Sequence, residues 1–239
     1  MKNKITLLSF FLAFTSFVAF SQKTVNAKDI IKDIKAGKTV SISNATIVGN
    51  LDFTDMEEKL KDLPKRKRRW WNNKGNNTVK NNIETKISFV NCVFKDDVLA
   101  YIPDSDYSGY TFTANFENDA IFKNCTFERK AMFKYSAFER AASFENAKFQ
   151  NETTFKYAEF DNYISFANST FEESATFKYS KFKDGVSFKD ANFEEDLNIK
   201  YTEVKGKFSM SGMKVGYDID SKYTKINGRS FSKYLLDNQ

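Results

Sequence analysis

The sequence predicts an all-β fold, a quadrilateral parallel β-helix in which short strands stack as successive coils of a solenoid. Phenylalanine recurs from Phe116 to Phe193 with gaps that alternate between six and five residues. A longer pattern, which includes a Lys-Tyr pair, returns every 22 residues. An α-helix, with its period of 3.6, cannot give this spacing. Short extended segments joined by tight corners can, and parallel stacking would place equivalent residues about 4.8 Å apart.

Each 22-residue coil is predicted to have four inward-pointing residues, called here the centres of faces one to four. The side chain two positions before a centre is usually small and is expected to point inward as well. The chain contains 26 phenylalanines, and most centres are phenylalanine. This indicates that the same kind of interior position recurs in every coil. In the regular coils the centres are Phe122, Phe144, Phe166 and Phe188 on face one; Phe127, Phe149, Phe171 and Phe193 on face two; Phe133, Phe155, Phe177 and Ile199 on face three; and Phe138, Phe160, Phe182 and Val204 on face four.

Residues 142–149, Ala-Ser-Phe-Glu-Asn-Ala-Lys-Phe, contain two such units in succession. They resemble the pentapeptide repeat family, whose units read Ala-(Asp/Asn)-Leu-x-x with the leucine and the small residue inside. Here phenylalanine replaces most leucines, and alternate units carry one extra residue. The resemblance covers about residues 42–226 and implies a right-handed quadrilateral β-helix. A three-sided parallel β-helix of the polysaccharide-lyase type is the alternative fold.

The same fingerprint sets the register of the N-terminal half. Residues 40–47 and 87–94 match residues 186–193. Between faces three and four, the first two coils then need loop insertions near residues 54–82 and 101–115, both at the same corner. The whole repeat makes roughly seven coils. The centres this register assigns are Ile42 and Phe89 on face one, Phe53 and Ala100 on face three, and Ile83 and Phe116 on face four.

The two ends of the chain predict export and capping. Residues 1–21 have two lysines, an uncharged run from residue 5 to residue 20, and small residues at Ala19 and Ser21, which is typical of a secretory signal peptide. We therefore expect a periplasmic, cell-surface or secreted protein. Residues 22–41 are predicted to form an N-terminal helical cap, and residues 227–239 a C-terminal cap, because open coil ends expose unpaired backbone.

Composition excludes several kinds of chemistry. The chain has no histidine, which removes most catalytic triads and the commonest metal ligand. Two cysteines cannot build a four-thiolate zinc site. We therefore predict no catalytic residue, no metal site and no cofactor. The register places Cys92 and Cys125 in adjacent coils at the small inward position, where either a disulfide or two packed thiols would fit.

Two groups of residues are candidates for ligand binding. The first is a basic loop in the first insertion, whose cations and indoles could bind phosphates, a sulfated sugar or anionic lipid. The second is a lysine column at the corner between faces three and four. A solvated loop and a scaffold column are the alternative interpretations. The candidate residues are Lys65, Arg66, Lys67, Arg68, Arg69, Trp70 and Trp71 in the loop, and Lys134, Lys156 and Lys178 in the column.

These observations favour a non-enzymatic, exported scaffold or binding module. Its partner could be an anionic glycan, a lipid surface or a protein, and coil ends could join copies of the chain into a homo-oligomer. One alternative is a β-helical polysaccharide-active enzyme. The resemblance also suggests a gyrase-protecting DNA mimic, but such a mimic needs a strongly acidic rod. Removal of residues 1–21 takes the formal net charge from +6 to +4, which disfavours it together with export.

Overall fold

The computed structural model describes residues 23–64, 77–103 and 109–237. Within these residues the strands form four sheets, one for each predicted face, and nearly all neighbouring strands are parallel. This confirms the quadrilateral parallel β-helix and excludes the three-sided alternative. The signal peptide predicted at residues 1–21 and the basic loop at residues 65–71 lie outside the described residues.

The face-one and face-two sheets each take one short strand from every coil. In the part of the chain described, the face-one strands are Val40–Ser43, Ile87–Val90, Ala120–Lys123, Ala142–Ser143, Ile164–Ser165, Gly185–Ser187 and Lys207–Ser209. Those of face two are Lys23–Asn26, Ala45–Val48, Val93–Phe94, Thr126–Phe127, Lys148–Phe149, Thr170–Phe171, Asn192–Phe193 and Lys214–Val215.

The face-three and face-four sheets close the other two sides. Over the same described ranges, the face-three strands are Leu51–Asp52, Val98–Leu99, Ala131–Met132, Thr153–Thr154, Ala175–Thr176, Leu197–Asn198 and Ile219–Asp220. Those of face four are Thr78–Ile83, Tyr101–Ile102, Thr111–Phe116, Ala137–Phe138, Glu159–Phe160, Lys181–Phe182, Glu203–Val204, Lys225–Ile226 and Arg229–Ser230.

The strand pairing confirms the predicted register in the N-terminal half. Ile42 pairs with Phe89, and Phe89 pairs with Phe122, on face one. On face four, Ile83 pairs with Phe116. The register predicted from the repeat therefore holds on both sides of each insertion.

The centres stack as columns of rings inside the solenoid. On face one the Phe144 ring lies parallel to the Phe166 ring, with centroids 5.3 Å apart, and the Phe166 ring stacks on Phe188 at 5.4 Å. Across the interior, Phe166 meets the Phe177 ring of face three edge to face at 5.2 Å. Offset and edge-to-face geometries are those that aromatic quadrupoles prefer. The rings of Phe166 and Phe177 are fully buried.

Where the small inward residue is serine or threonine, its hydroxyl forms a hydrogen bond with a backbone carbonyl. Ser180 donates its hydroxyl to the carbonyl of Phe155, and Thr202 to that of Phe177, each at 2.7 Å. A buried hydroxyl is tolerated here because it finds an acceptor in the preceding coil. At Ser180 and Thr202 the residue type therefore suits both the small volume and the hydrogen bond.

One corner of every regular coil is held by an asparagine or aspartate with a positive φ. Asn124, Asn146 and Asn168 have φ of 54°, 54° and 56°. Asparagine adopts this left-handed conformation more readily than bulkier residues. The amides of Asn124 and Asn146 join neighbouring coils, since Asn146 Nδ2 donates to Asn124 Oδ1 at 2.8 Å. Asn124 also donates to Asn91 at 2.8 Å, so these asparagines form a ladder at the end of face one.

Both ends of the described solenoid carry a helix. Helix α1, Ala27–Lys35, buries Ile30 and Ile34 against the first coil. The sequence predicts residues 22–41 as an N-terminal helical cap, and the structure places a strand within them, Lys23–Asn26, which pairs with Ala45–Val48 and extends face two. Among the described residues, no helix combines the length and apolar character that crossing a membrane requires.

The C-terminal end is closed by a reversal of the chain. The strand Arg229–Ser230 turns back antiparallel to Lys225–Ile226. A short helix, Phe231–Asp237, follows and inserts the buried Phe231 ring near Phe208, with centroids 6.4 Å apart. This helix lies within residues 227–239, where the sequence predicts the C-terminal cap.

The two insertions contain more regular structure than the predicted loops. The first includes a second helix, α2, Met56–Asp62, none of whose residues is buried. Thr78–Ile83 and Thr111–Phe116 pair along six residues, so residues 78–82 and 111–115 extend the face-four sheet and are not loop. The reason is their position at the same corner of adjacent coils, where each strand supplies the backbone partners that the other needs.

The ring columns predict which substitutions destabilise the protein most. Phe166→Ala should lower the free energy of unfolding by about 3–5 kcal/mol, because it removes a stacked ring and leaves a cavity. Chemical denaturation of the variant and the wild type measures this difference. Tyr163→Ala, which removes an exposed ring nearby, is the control and should cost far less. Equal stability of the two variants would contradict the packing of Phe166.

Candidate ligand-binding edge

Five tyrosines stack along the corner between faces three and four, one from each successive coil, and are called here the tyrosine column. Centroids of neighbouring rings are 4.8, 4.7, 4.7 and 4.8 Å apart, and no interplanar angle exceeds 22°. The members are Tyr135, Tyr157, Tyr179, Tyr201 and Tyr223.

Each tyrosine of this column sits in the left-handed region, with φ between 58° and 63°. A bulky residue rarely adopts this conformation, because it brings Cβ close to the following carbonyl oxygen. Two interactions offset the cost. The Tyr135 amide donates to the Lys156 carbonyl of the next coil at 3.0 Å, and stacked aromatic pairs contribute about 0.5–1.5 kcal/mol. Because the ring faces cover one another, the ring edges remain at the surface.

The predicted lysine column runs beside the tyrosine column. In Lys134, Lys156 and Lys178, the Nζ atom lies 5.0, 5.4 and 5.2 Å from the centroid of the tyrosine that follows it. These distances are within the range of a cation–π contact. The structure therefore brings together the three lysines that the sequence singled out, at a fixed spacing along one edge.

The lysine column differs from the other lysines of the same coils in its partners. Across the described ranges, no carboxylate lies within ion-pair distance of Lys134, Lys156 or Lys178. By contrast, Lys130 and Lys148 contact glutamates of the adjacent coil at 2.8 and 2.6 Å. The column is thus a line of positive charge that the described protein leaves uncompensated.

The charges of the column affect one another. Burial, and then the neighbouring ammonium groups of Lys134 and Lys178, lower the pKa of Lys156. The contact with Glu172 has the opposite effect on Lys148, whose pKa it raises. An anion placed along the column would relieve the repulsion and favour the charged form of Lys156.

A groove of about 740 Å³ lies on the other side of the tyrosine column. Thr78, Lys80 and Thr113, from the two six-residue strands of the insertions, line one end. Its floor is formed by outward-pointing residues of the face-four sheet, called here the face-four column. These are Asn115, Ala137, Glu159, Lys181 and Glu203.

Sequence reasoning did not find this groove. Its floor could have been recognised from Glu159, Lys181 and Glu203, which recur at 22 residues with alternating charge just before face-four centres. The end wall could not, because it depends on strand pairing between two insertions that share no pattern with the repeat.

The two cysteines occupy the predicted inward positions in adjacent coils and are free thiols. Parallel stacking keeps their Cβ atoms about as far apart as the coils, whereas a disulfide favours a Cβ separation of about 3.8 Å. The Cys125 thiol lies 3.5 Å from the Phe89 carbonyl oxygen. Its hydrogen bond with Cys92, followed by burial, raises the pKa of Cys125. The pair is part of the core and lies away from the lysine column.

The basic loop, Lys65, Arg66, Lys67, Arg68, Arg69, Trp70 and Trp71, lies outside the described residues. In the part of the chain that the structure describes, no group of three or more cysteine, aspartate or glutamate side chains is placed to hold a metal ion.

Four stacked sheets built from five- and six-residue units define a solenoid of short repeats. Residues 112–159, 133–179 and 155–203 each match the family model described as "Pentapeptide repeats (9 copies)". The region 112–203 therefore belongs to the pentapeptide repeat family. Neither the curated proteins nor the solved structures gave a match to the chain.

The electrostatics of the column can be measured directly. Replacing Lys134 and Lys178 together with glutamine should raise the pKa of Lys156, because two neighbouring positive charges that favour its neutral form are removed. The value should stay below that of an ordinary lysine, since burial is the larger cause. NMR titration of the lysine side chains gives the measurement, with Lys148 as the unaffected control. An unchanged Lys156 pKa would show that the column does not interact.

Proposed function

We propose that the chain is an exported, non-enzymatic binding scaffold that binds an anionic polymer along the lysine column. The observation that carries this proposal is the line of three lysines without carboxylate partners, in coils whose other lysines are paired. Proteins of the pentapeptide repeat family serve in general as structural or binding proteins without catalysis, which supports a scaffold.

The column suits a polymer better than a small anion. Its charges repeat once per coil on a rigid support, because stacked tyrosines fix the backbone from which each lysine extends. Two charges about 5 Å apart in water repel by somewhat less than about 1 kcal/mol. A polymer with regularly spaced acid groups would relieve this repulsion at several coils at once, whereas a single small anion would relieve it at one.

Export is the second part of the proposal, and residues 1–21 support it by their signal-peptide pattern. Expression of the full-length chain in a Gram-negative host should yield a periplasmic or secreted protein that begins at Gln22. N-terminal sequencing and mass spectrometry of the isolated protein identify its first residue. An unprocessed chain retained in the cytoplasm would contradict export.

Binding can be tested with the mature chain, residues 22–239, and two probes, polygalacturonate and inorganic polyphosphate. The triple variant K134Q/K156Q/K178Q should lose about tenfold or more in affinity for both probes, and the salt dependence of binding should weaken because fewer charges are involved. Fluorescence anisotropy of labelled probes measures both effects.

The matched control removes the same amount of charge elsewhere. The variant K123Q/K130Q/K148Q loses three lysines that are paired with glutamates of adjacent coils, and it should bind nearly as the wild type does. Equal losses in the two variants would mean that only net charge matters. Release of shortened oligosaccharides from polygalacturonate would show an enzyme and overturn the scaffold.

A further inference from the structure

The groove beside the tyrosine column has a chemistry different from that of the lysine column. Glu159 and Lys181 form an ion pair at 2.7 Å on its floor, and Glu203 follows in the next coil. Asn115 adds an amide at the end nearest the insertions. Carboxylate, ammonium and amide groups together can donate to and accept from many hydroxyls. Two carboxylates make the same surface unfavourable for a chain of phosphates.

A second observation points to a polar ligand. Thr113 lines the end of the groove, is fully buried, and has a hydroxyl that finds no hydrogen-bond partner among the described residues. Leaving a buried hydroxyl unpaired costs about 1–3 kcal/mol. A water held between this hydroxyl and a ligand bound in the groove would supply the missing partner.

The groove and the lysine column lie on opposite sides of one row of tyrosine edges. The Lys156 ammonium is 5.4 Å from the Tyr157 centroid, and the Tyr157 side chain also lines the groove. A chain of units about one ring wide could therefore lie in the groove and still reach the ammonium groups with a substituent. The units would repeat at the coil spacing of 4.7–4.8 Å, which is close to the length of one sugar residue in an extended chain.

We propose that the ligand is a linear acidic polysaccharide that runs parallel to the solenoid axis. Its sugar rings occupy the groove, where the face-four column and the tyrosine hydroxyls bind sugar hydroxyls. Its acid groups lie across the tyrosine edges, against Lys134, Lys156 and Lys178. This inference rests on the proposed function, because it assumes that the lysine column binds anions, and it adds which anion is preferred.

A bulky side chain in the groove distinguishes the polysaccharide assignment from the proposed function, which is anion binding by the lysine column alone. Ala137→Trp places an indole on the groove floor and should lower the affinity for polygalacturonate by about tenfold while leaving that for polyphosphate unchanged. Thr126→Trp adds an indole to the outer side of face two in the same coil and should change neither affinity. Circular dichroism checks that both variants fold.

A second variant makes the same test without added bulk. Glu203→Gln removes one groove carboxylate and should weaken polygalacturonate binding severalfold, although it lowers the negative charge that would repel an anion. Should Glu203→Gln instead tighten polygalacturonate binding, or should Ala137→Trp bind both probes as the wild type does, the polysaccharide assignment falls and the proposed function stands. If K134Q/K156Q/K178Q binds both probes as the wild type does, the proposed function itself is wrong.

Discussion

The phenylalanine rings inside the solenoid stack face to face from coil to coil, and this contact fixes the register of everything outside them. A one-residue slip would turn each ring toward solvent, since neighbouring side chains in a strand point to opposite faces. Burial of each ring contributes about 1.5–3 kcal/mol, and the stacks add to this. The ring columns run through the regular coils, until Ile199 and Val204 take over on faces three and four, so the positions of the corners follow from the core.

Fixed corners explain why the surface consists of columns. A residue type that recurs at 22 residues meets its own kind at the coil spacing, and the result depends on its chemistry. Amides form a hydrogen-bonded ladder, as Asn124 and Asn146 do. Phenol rings stack, as Tyr157 and Tyr179 do, with centroids 4.7 Å apart. Like charges repel instead, and Lys123, Lys130 and Lys148 avoid this because a glutamate of the next coil faces each of them.

The fold could be predicted from the sequence because each coil repeats the evidence for it. The register could be predicted even where insertions interrupt the repeat, because the residues next to Ile42 and Phe89 in the sequence match those next to Phe188. The strand Lys23–Asn26 was missed because it has no centre of its own and forms only by pairing with Ala45–Val48. The groove was missed for a related reason: Thr113 becomes a wall residue only through pairing of two insertions. Structure that repeats in every coil can be predicted from one sequence, whereas a strand pairing that occurs only once leaves no pattern to recognise.

The uncompensated lysines are a property of this sequence and are not forced by the geometry of the corner. In the last such pair of coils, Lys200 lies 3.7 Å from Asp220, which occupies the face-three position of the following coil. The equivalent positions opposite Lys134, Lys156 and Lys178 are Thr154, Thr176 and Asn198. An aspartate at any of these positions could have neutralised the lysine, as Asp220 does, and the uncharged threonines and asparagine do not. The three coils therefore keep their positive charge at a corner where the fold permits a carboxylate, which is the arrangement that an external anion requires.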